Sequence, residues 1–323
     1  MTLAAHHQET AIRRAAMLRT AFCPVVREAL DAPDTIEIMA NPDGSVWIEK
    51  AGIGLTVSEH TLSTSDRERV ILLVASGGGE PGSGERFEGL LPPISTAPCF
   101  SIRKPATTPF ELGDYVDQGA LSPAMCAALR DAVIGRKNIL IAGGTSSGKT
   151  TFTNALLAEP TINEDRIVIL EDTRELKCAA PNAVQLRTYR GSTSLQQLVR
   201  STLRLRPDRI IVGEVRGAEA LDLLKAWNTG HPGGITTLHA NSALGALIRL
   251  EQLAMEATRR APFDLIAEAI DVVIFMSRTG GQRRVEEALR VSGFDGDGYI
   301  TAPLVARSLS LVSETLINTG DTP

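Results

Sequence analysis

Aromatic residues make up only 4% of this 323-residue chain, too few for a platform on which successive bases would stack. There is no basic excess either. The 33 Lys and Arg against 38 Asp and Glu give a formal charge of -5, which argues against a surface built to hold nucleic acid by counterion release. Cysteine is sparse, and Cys23, Cys99, Cys126 and Cys178 form no C-x-x-C pair. Neither a zinc site nor a disulfide framework is expected. No apolar run approaches the roughly 18 residues of a membrane span. The start, MTLAAHHQETAIRR, lacks the apolar core of a secretory signal. A cytosolic protein without stable nucleic-acid binding is the expectation.

What is present is an ordinary globular composition, 43% hydrophobic and 22% charged, over a length that predicts two domains. Residues 8–30 carry a helical pattern interrupted at Pro24, followed by a hairpin, TIEIMA-NPDG-SVWIEK. A helix over 65–75, the stretch SGGGEPGSGE, and the strand-like runs FEGLLPP and CFSIRKP complete a small α+β domain over 1–104. Residues 105–121, opening with PATTPFEL, read as linker and domain entry. Ser122-Pro123 then starts a helix, as N-cap and first-turn residue. Beyond it, strands NILIA, RIVILE, VQLRT, RIIVGE and GITTLHA alternate with helices at 149–158, 194–205, 217–228 and 242–256. Such alternation predicts an α/β domain over 122–292 with a mostly parallel sheet. Residues 293–323 read as a polar tail, partly disordered.

The stretch GGTSSGKT, Gly143 to Thr150, fits G-x-x-x-x-G-K-[ST] in full, after an apolar strand and before a helix. Backbone N–H groups of Gly143, Gly144, Thr145, Ser146, Ser147 and Gly148 would cradle phosphates, with Thr151 in the first helical turn. Lys149 would reach the β and γ phosphates and the Thr150 hydroxyl would ligate Mg²⁺. ATP is favoured over GTP because no guanine-specific N-K-x-D element is present.

In RIIVGE, a buried strand runs into Glu214, with Gly213 where an Asp is usual. In a doubly wound sheet its carboxyl end falls at the crevice that holds the phosphate loop. RIVILEDTREL brings Glu171 and Asp172 to a corresponding end. Glu214 could hold Mg²⁺ through its water shell while Glu171 orients the attacking water, or the two could exchange roles. Asp172 and Glu175 also suit plain helix N-caps. His231 lies in a Gly/Pro-rich loop, where solvation is the default, whereas His239 ends an apolar strand on the crevice side. There it could sense the γ-phosphate, orient a carboxylate, or serve structure alone.

The four boxes GGTSSGKTT, EDTREL, VGEVRG and TTLHAN, in this order, resemble the type II/IV secretion ATPase superfamily, particularly its conjugal-transfer members. GERFEGLLPP and SIRKP extend the likeness into the first domain, so it covers most of the chain. The resemblance implies a RecA-like motor domain behind the α+β domain. It also implies a homohexameric ring at the cytoplasmic face of the inner membrane, touching inner-membrane components of a type IV secretion or mating channel. Nucleotide would lie between the domains. Lys149 and Thr150 would bind phosphate and metal, Glu171 would belong to an acidic box, Glu214 would be the Walker B glutamate and His239 the His-box residue. Arg86 and Arg103 match nucleotide-holding arginines of the first domain. The stretch SGGGEPGS is shorter than the family's strand-bearing segment, which implies an incomplete first sheet.

In a ring, an arginine from a neighbour would disperse charge and be worth ~10³–10⁵ in rate. Arg187, Arg200 and Arg204 are candidates, Arg200 and Arg204 sharing one helix face, although a solvated basic face is the plainer account. The rival functions are a hexameric nucleic-acid motor, disfavoured by acidity and scarce aromatics, and a scaffold that keeps ATP as a structural ligand.

Overall fold

The computed structural model describes residue 20 and residues 22–76, 85–104, 110–189, 191–279 and 282–306. Most of the helical pattern ahead of Pro24, the segments 77–84 and 105–109, and the tail beyond 306 lie outside the described residues.

The first domain comprises α1 (Pro24–Asp31), β1 (Thr35–Ala40), β2 (Ser45–Lys50), β3 (Gly54–Thr61), α2 (Thr64–Ser76), β4 (Arg86–Leu90) and β5 (Cys99–Arg103). The expected hairpin forms, with Ala40 opposite Val46, and its turn needs Gly44 at φ +92°. All pairings are antiparallel, in the order β3-β2-β1-β5-β4. One face buries Ile38, Val46 and Ile102 against Val70 and Val74 of α2. Strand β3 has no buried residue, so its sequence carries no apolar alternation. The short stretch before Arg86 does not displace that residue from the sheet: Arg86 opens edge strand β4, opposite Arg103 of β5.

The second domain begins earlier than expected. Helix α3 (Leu112–Asp117) buries Leu112 and Tyr115 in the same core as α4 (Pro123–Ile134), so residues 112–121 are packed structure rather than linker. Ser122 caps α4 by accepting the Met125 N–H. The chain continues through β6 (Ile139–Gly143), α5 (Lys149–Leu157), β7 (Ile167–Glu171), β8 (Ala183–Arg187), α6 (Leu195–Thr202), β9 (Arg209–Val212), α7 (Glu219–Asn228) and β10 (Ile235–Leu238). It ends with α8 (Ala243–Ala254), α9 (Phe263–Ala269), β11 (Val272–Thr279), β12 (Gln282–Phe294) and β13 (Tyr299–Pro303).

Eight strands form one sheet in the order β13-β12-β11-β6-β10-β9-β7-β8. Strands β6 to β11 pair in parallel, and β12 and β13 add antiparallel at one edge, so the sheet is mixed. Strands β6, β7, β9 and β10 are buried at every residue, as continuous apolar runs covered on both faces must be. Alternation sends Leu140, Val168 and Leu170 into the core under α6 to α9, and Ile139, Ile141, Ile167 and Ile169 into the core under α3 to α5. The stretch expected to be a polar tail from 293 instead contains the end of β12 and all of β13. Phe294 stacks on Phe263 with ring centroids 4.7 Å apart and meets Tyr299 edge-on, anchoring a hairpin whose remaining residues are largely exposed.

Candidate active site

The carboxyl ends of β6, β9 and β10 meet the first domain across a cleft of about 520 Å³. Its floor is the loop between β6 and α5, where Gly148 at φ +95° is the N-cap of α5. Every residue from Thr145 to Thr151 lines the cleft, whereas Gly143 and Gly144 turn their carbonyls to Lys149. The Lys149 ammonium donates to these oxygens at 2.9 and 3.0 Å and faces His239 Nδ1 at 3.3 Å. Burial lowers its pKa to about 8, despite the attraction of Glu214. Ser147 Oγ, in the same loop, is buried without a hydrogen-bond partner.

Glu214 follows β9 after one residue, Gly213, and His239 follows β10 directly, so neighbouring parallel strands deliver the pair. His239 Nε2 stands 3.1 Å from Glu214 Oε1, and Arg216 donates to Glu214 Oε2 at 2.7 Å. Burial pushes the Glu214 carboxyl up, but Arg216, His239 and Lys149 outweigh it and hold the pKa below the usual range. His239 is shifted down, by burial and then by the Lys149 charge, which keeps the imidazole neutral near pH 7. A neutral ring can accept from Lys149 at Nδ1, while Nε2 lies near Glu214 Oε1, a buried oxygen that has no hydrogen-bond partner of its own.

Glu171 is not on the cleft wall. Along β7 it shares the side of Ile167 and Ile169, is 3% exposed, and accepts the Glu175 and Leu176 N–H groups at 2.9 and 2.8 Å through Oε1. Burial, the largest influence, pushes its pKa up. The same packing accounts for Gly213, because a Cβ there would meet Glu171 Cγ at 3.2 Å. Glu171, expected to orient the attacking water or to hold Mg²⁺, does not reach the cleft here: strand alternation turns it into the protein, where it braces the loop that follows.

That loop presents Glu175 instead. No helix follows β7, so Glu175 is not a helix cap. One of its carboxylate oxygens lies 2.5 Å from Arg86 Nε, and the other accepts from the Thr150 hydroxyl at 3.4 Å. Arg103 donates to Ser146 Oγ at 3.4 Å, so both first-domain arginines reach the cleft. A third link between the domains, Arg278 to Glu49 at 2.8 Å, lies beside it. Sequence reasoning read Glu175 only as a helix cap and missed Arg216. Arg216 could have been found as the cation two residues beyond Glu214; nothing in the irregular stretch around Glu175 singles it out.

None of the proposed trans-acting arginines lines this chain's cleft. Arg200 pairs with Asp222 at 3.0 Å, Arg204 is exposed just past α6, and Arg187 ends edge strand β8. His231 is half-buried beside the Ala226 carbonyl rather than freely solvated.

Comparison with known proteins gives the family. A model described as type II/IV secretion system protein matches residues 88–285. The chain belongs to that family. It is 47% identical over 291 residues to "Conjugal transfer protein TrbB" of Rhizobium radiobacter, covering 84% of this chain and 88% of that protein. It is 46% identical over 286 residues to "Probable conjugal transfer protein TrbB" of Sinorhizobium fredii, covering 84% and 87%. Among solved structures, the Legionella pneumophila ATPase DotB superposes with a TM-score of 0.57 at 21% identity, covering 83% of this chain and 81% of that one, a likeness of fold. Among the described residues no helix is long and apolar enough to cross a membrane.

The cleft suits a magnesium nucleotide. Six cationic side chains line it against three carboxylates, a balance that calls for a polyanion. The orphaned Ser147 hydroxyl sits in the loop that would wrap the phosphates. Mg²⁺ is ordinarily held by one or two carboxylates together with substrate phosphates, and the cleft lining offers Thr150 paired with Glu175, and Glu214, as oxygen donors for it.

Proposed function

We propose that this protein binds ATP with Mg²⁺ in the cleft between its domains, hydrolyses it, and works as a homohexameric motor for conjugal transfer through a type IV secretion channel. The observation that carries the ATPase reading is the Lys149 ammonium, seated on the carbonyls of its own loop at 2.9 and 3.0 Å and facing His239, which stands beside Glu214. The transfer role rests on kinship with the TrbB proteins. The ring, and attachment at the cytoplasmic face of the inner membrane, rest on the family likeness.

Lys149 exchanges backbone oxygens for the β and γ phosphates, a charge-assisted contact stronger than the one it leaves. The Thr150 hydroxyl and Glu175 supply oxygens on the metal side; bound Mg²⁺ would neutralise charge developing on the phosphates. Glu214, ionised at neutral pH, accepts a hydrogen bond from the attacking water, and His239 fixes the carboxylate's orientation from Nε2. Glu171 acts one step back, placing Glu175 through two backbone bonds. Arg86 and Arg103 bring the first domain to the triphosphate, so loss of the γ-phosphate loosens the domains from one another.

The test compares wild type, Lys149→Ala and Glu214→Gln by calorimetric ATP binding and by phosphate release. The wild type binds and turns over, Lys149→Ala loses both, and Glu214→Gln binds while turning over at least ~100-fold more slowly. Turnover at the wild-type rate by Lys149→Ala would refute the site.

A further inference from the structure

Strand β12 carries two arginines at its start, and their partners differ. In the β11–β12 pairing Arg283 stands directly opposite Arg278. Like charges facing each other across a ladder destabilise it. Arg278 is compensated by Glu49 at 2.8 Å, and Arg284 has Glu286 at 3.8 Å. Arg283 makes no ion pair among the described residues. Burial, followed by the charges of Arg278 and Arg103, holds its pKa below the ordinary value. A half-buried guanidinium among like charges is costly to keep unless an anion comes to it.

The position of Arg283 shows which anion. Its stem crosses the phosphate loop so closely that a Cβ on Gly148 would lie 2.9 Å from Arg283 Cδ. It lines the phosphate cleft and also an adjoining cavity; Ile36, Ala51 and Phe110 line both, and Tyr115 only the second. Thr151, in the first turn of α5, is shared by both cavities in the same way. The γ-phosphate end is marked by Lys149, His239 and Glu214, none of which lines the adjoining cavity. Arg283 therefore stands where the phosphate cleft opens into the adjoining cavity.

We propose that Arg283 is a nucleotide-binding residue that donates to the α-phosphate, the phosphate ATP and ADP hold in common next to the ribose. The inference rests on the ATPase reading of the cleft and deepens it. Arg283 grips the part of the ligand that hydrolysis leaves unchanged, so it governs retention of nucleotide in both states. Lys149, His239 and Glu214 discriminate between them.

The experiment is calorimetric titration of wild type, Lys149→Ala, Arg283→Gln and Arg283→Lys with ATP and, separately, with ADP. Arg283→Gln keeps the stem over Gly148 while removing the charge. It is expected to weaken ATP and ADP by the same factor, about tenfold or more, as loss of a hydrogen bond to a charged group requires. Arg283→Lys recovers part of that loss. Unchanged ADP affinity in Arg283→Gln, or a loss confined to ATP, overturns the assignment while leaving the ATPase reading intact if wild type binds and Lys149→Ala does not. Failure of the wild type to take up either nucleotide overturns both.

Discussion

Replacing Glu171 by glutamine separates bracing from chemistry. The Glu171 side chain is 3% exposed and one oxygen accepts two backbone N–H groups, from Glu175 at 2.9 Å and Leu176 at 2.8 Å. A glutamine carbonyl accepts the same pair, and burial already favours the uncharged carboxyl. Glu171→Gln is expected to fold normally and keep kcat within about threefold of wild type. Glu171→Ala orphans both donors. Leu176 is buried and Glu175 only partly so, which at ~1–3 kcal/mol per unpaired buried donor gives a loss of about 2–4 kcal/mol. For a domain of this size that is a melting temperature lower by roughly 4–16 °C. Turnover should fall with it, since Glu175 loses its seat. The assay is phosphate release at saturating ATP and Mg²⁺ alongside a thermal melt. A Glu171→Gln protein that melts like wild type and binds ATP, yet loses 100-fold or more in kcat, would show that the carboxylate takes part in the reaction and would refute the bracing role.

Three other outcomes follow from the structure. Lys149 titrates near 8 when free, against an ordinary 10.5, while phosphates favour its charged form. ATP affinity should therefore drop by up to about tenfold per pH unit above that value, with proton uptake on binding, readable by calorimetry in buffers of different ionisation enthalpy. For the unliganded fold the sign is that stability rises with pH between about 8 and 10.5, where the unfolded chain still holds the proton and the folded one has released it. Asn138, 4% exposed, donates to the Ala269 carbonyl at 2.7 Å and accepts the Gly234 N–H at 2.8 Å. Asn138→Ala should cost about 2–5 kcal/mol in denaturant unfolding, and a loss under about 1 kcal/mol would show that water replaces both bonds.

The phosphate loop, Glu214 and His239 were legible because each sits at the end of a buried, largely apolar or β-branched strand, and strand ends in such sheets share one crevice. That rule locates a residue without saying which way its side chain turns. Glu171 satisfies it and points inward with Ile167 and Ile169. Glu175 reads as a helix cap for the opposite reason: an irregular loop has no period to read, and its partner Arg86 is far away in sequence. Strands β3 and β13 were missed because neither buries a residue, so no alternation betrays them. The antiparallel edge of the larger sheet was likewise hidden, because β12 is rich in Arg and Glu and the turn after it in Gly and Asp.

Glu175 offers one oxygen to Arg86 of the first domain and the other to the hydroxyl of Thr150. On the proposed reading the side chain nearest the metal would thus also be one of the handles by which the first domain is held. Any swing of that domain pulls on the chemistry, and any change in the chemistry releases or retightens the swing. A ring built from such units would need no separate transmission linkage, because force and reaction would meet on a single side chain.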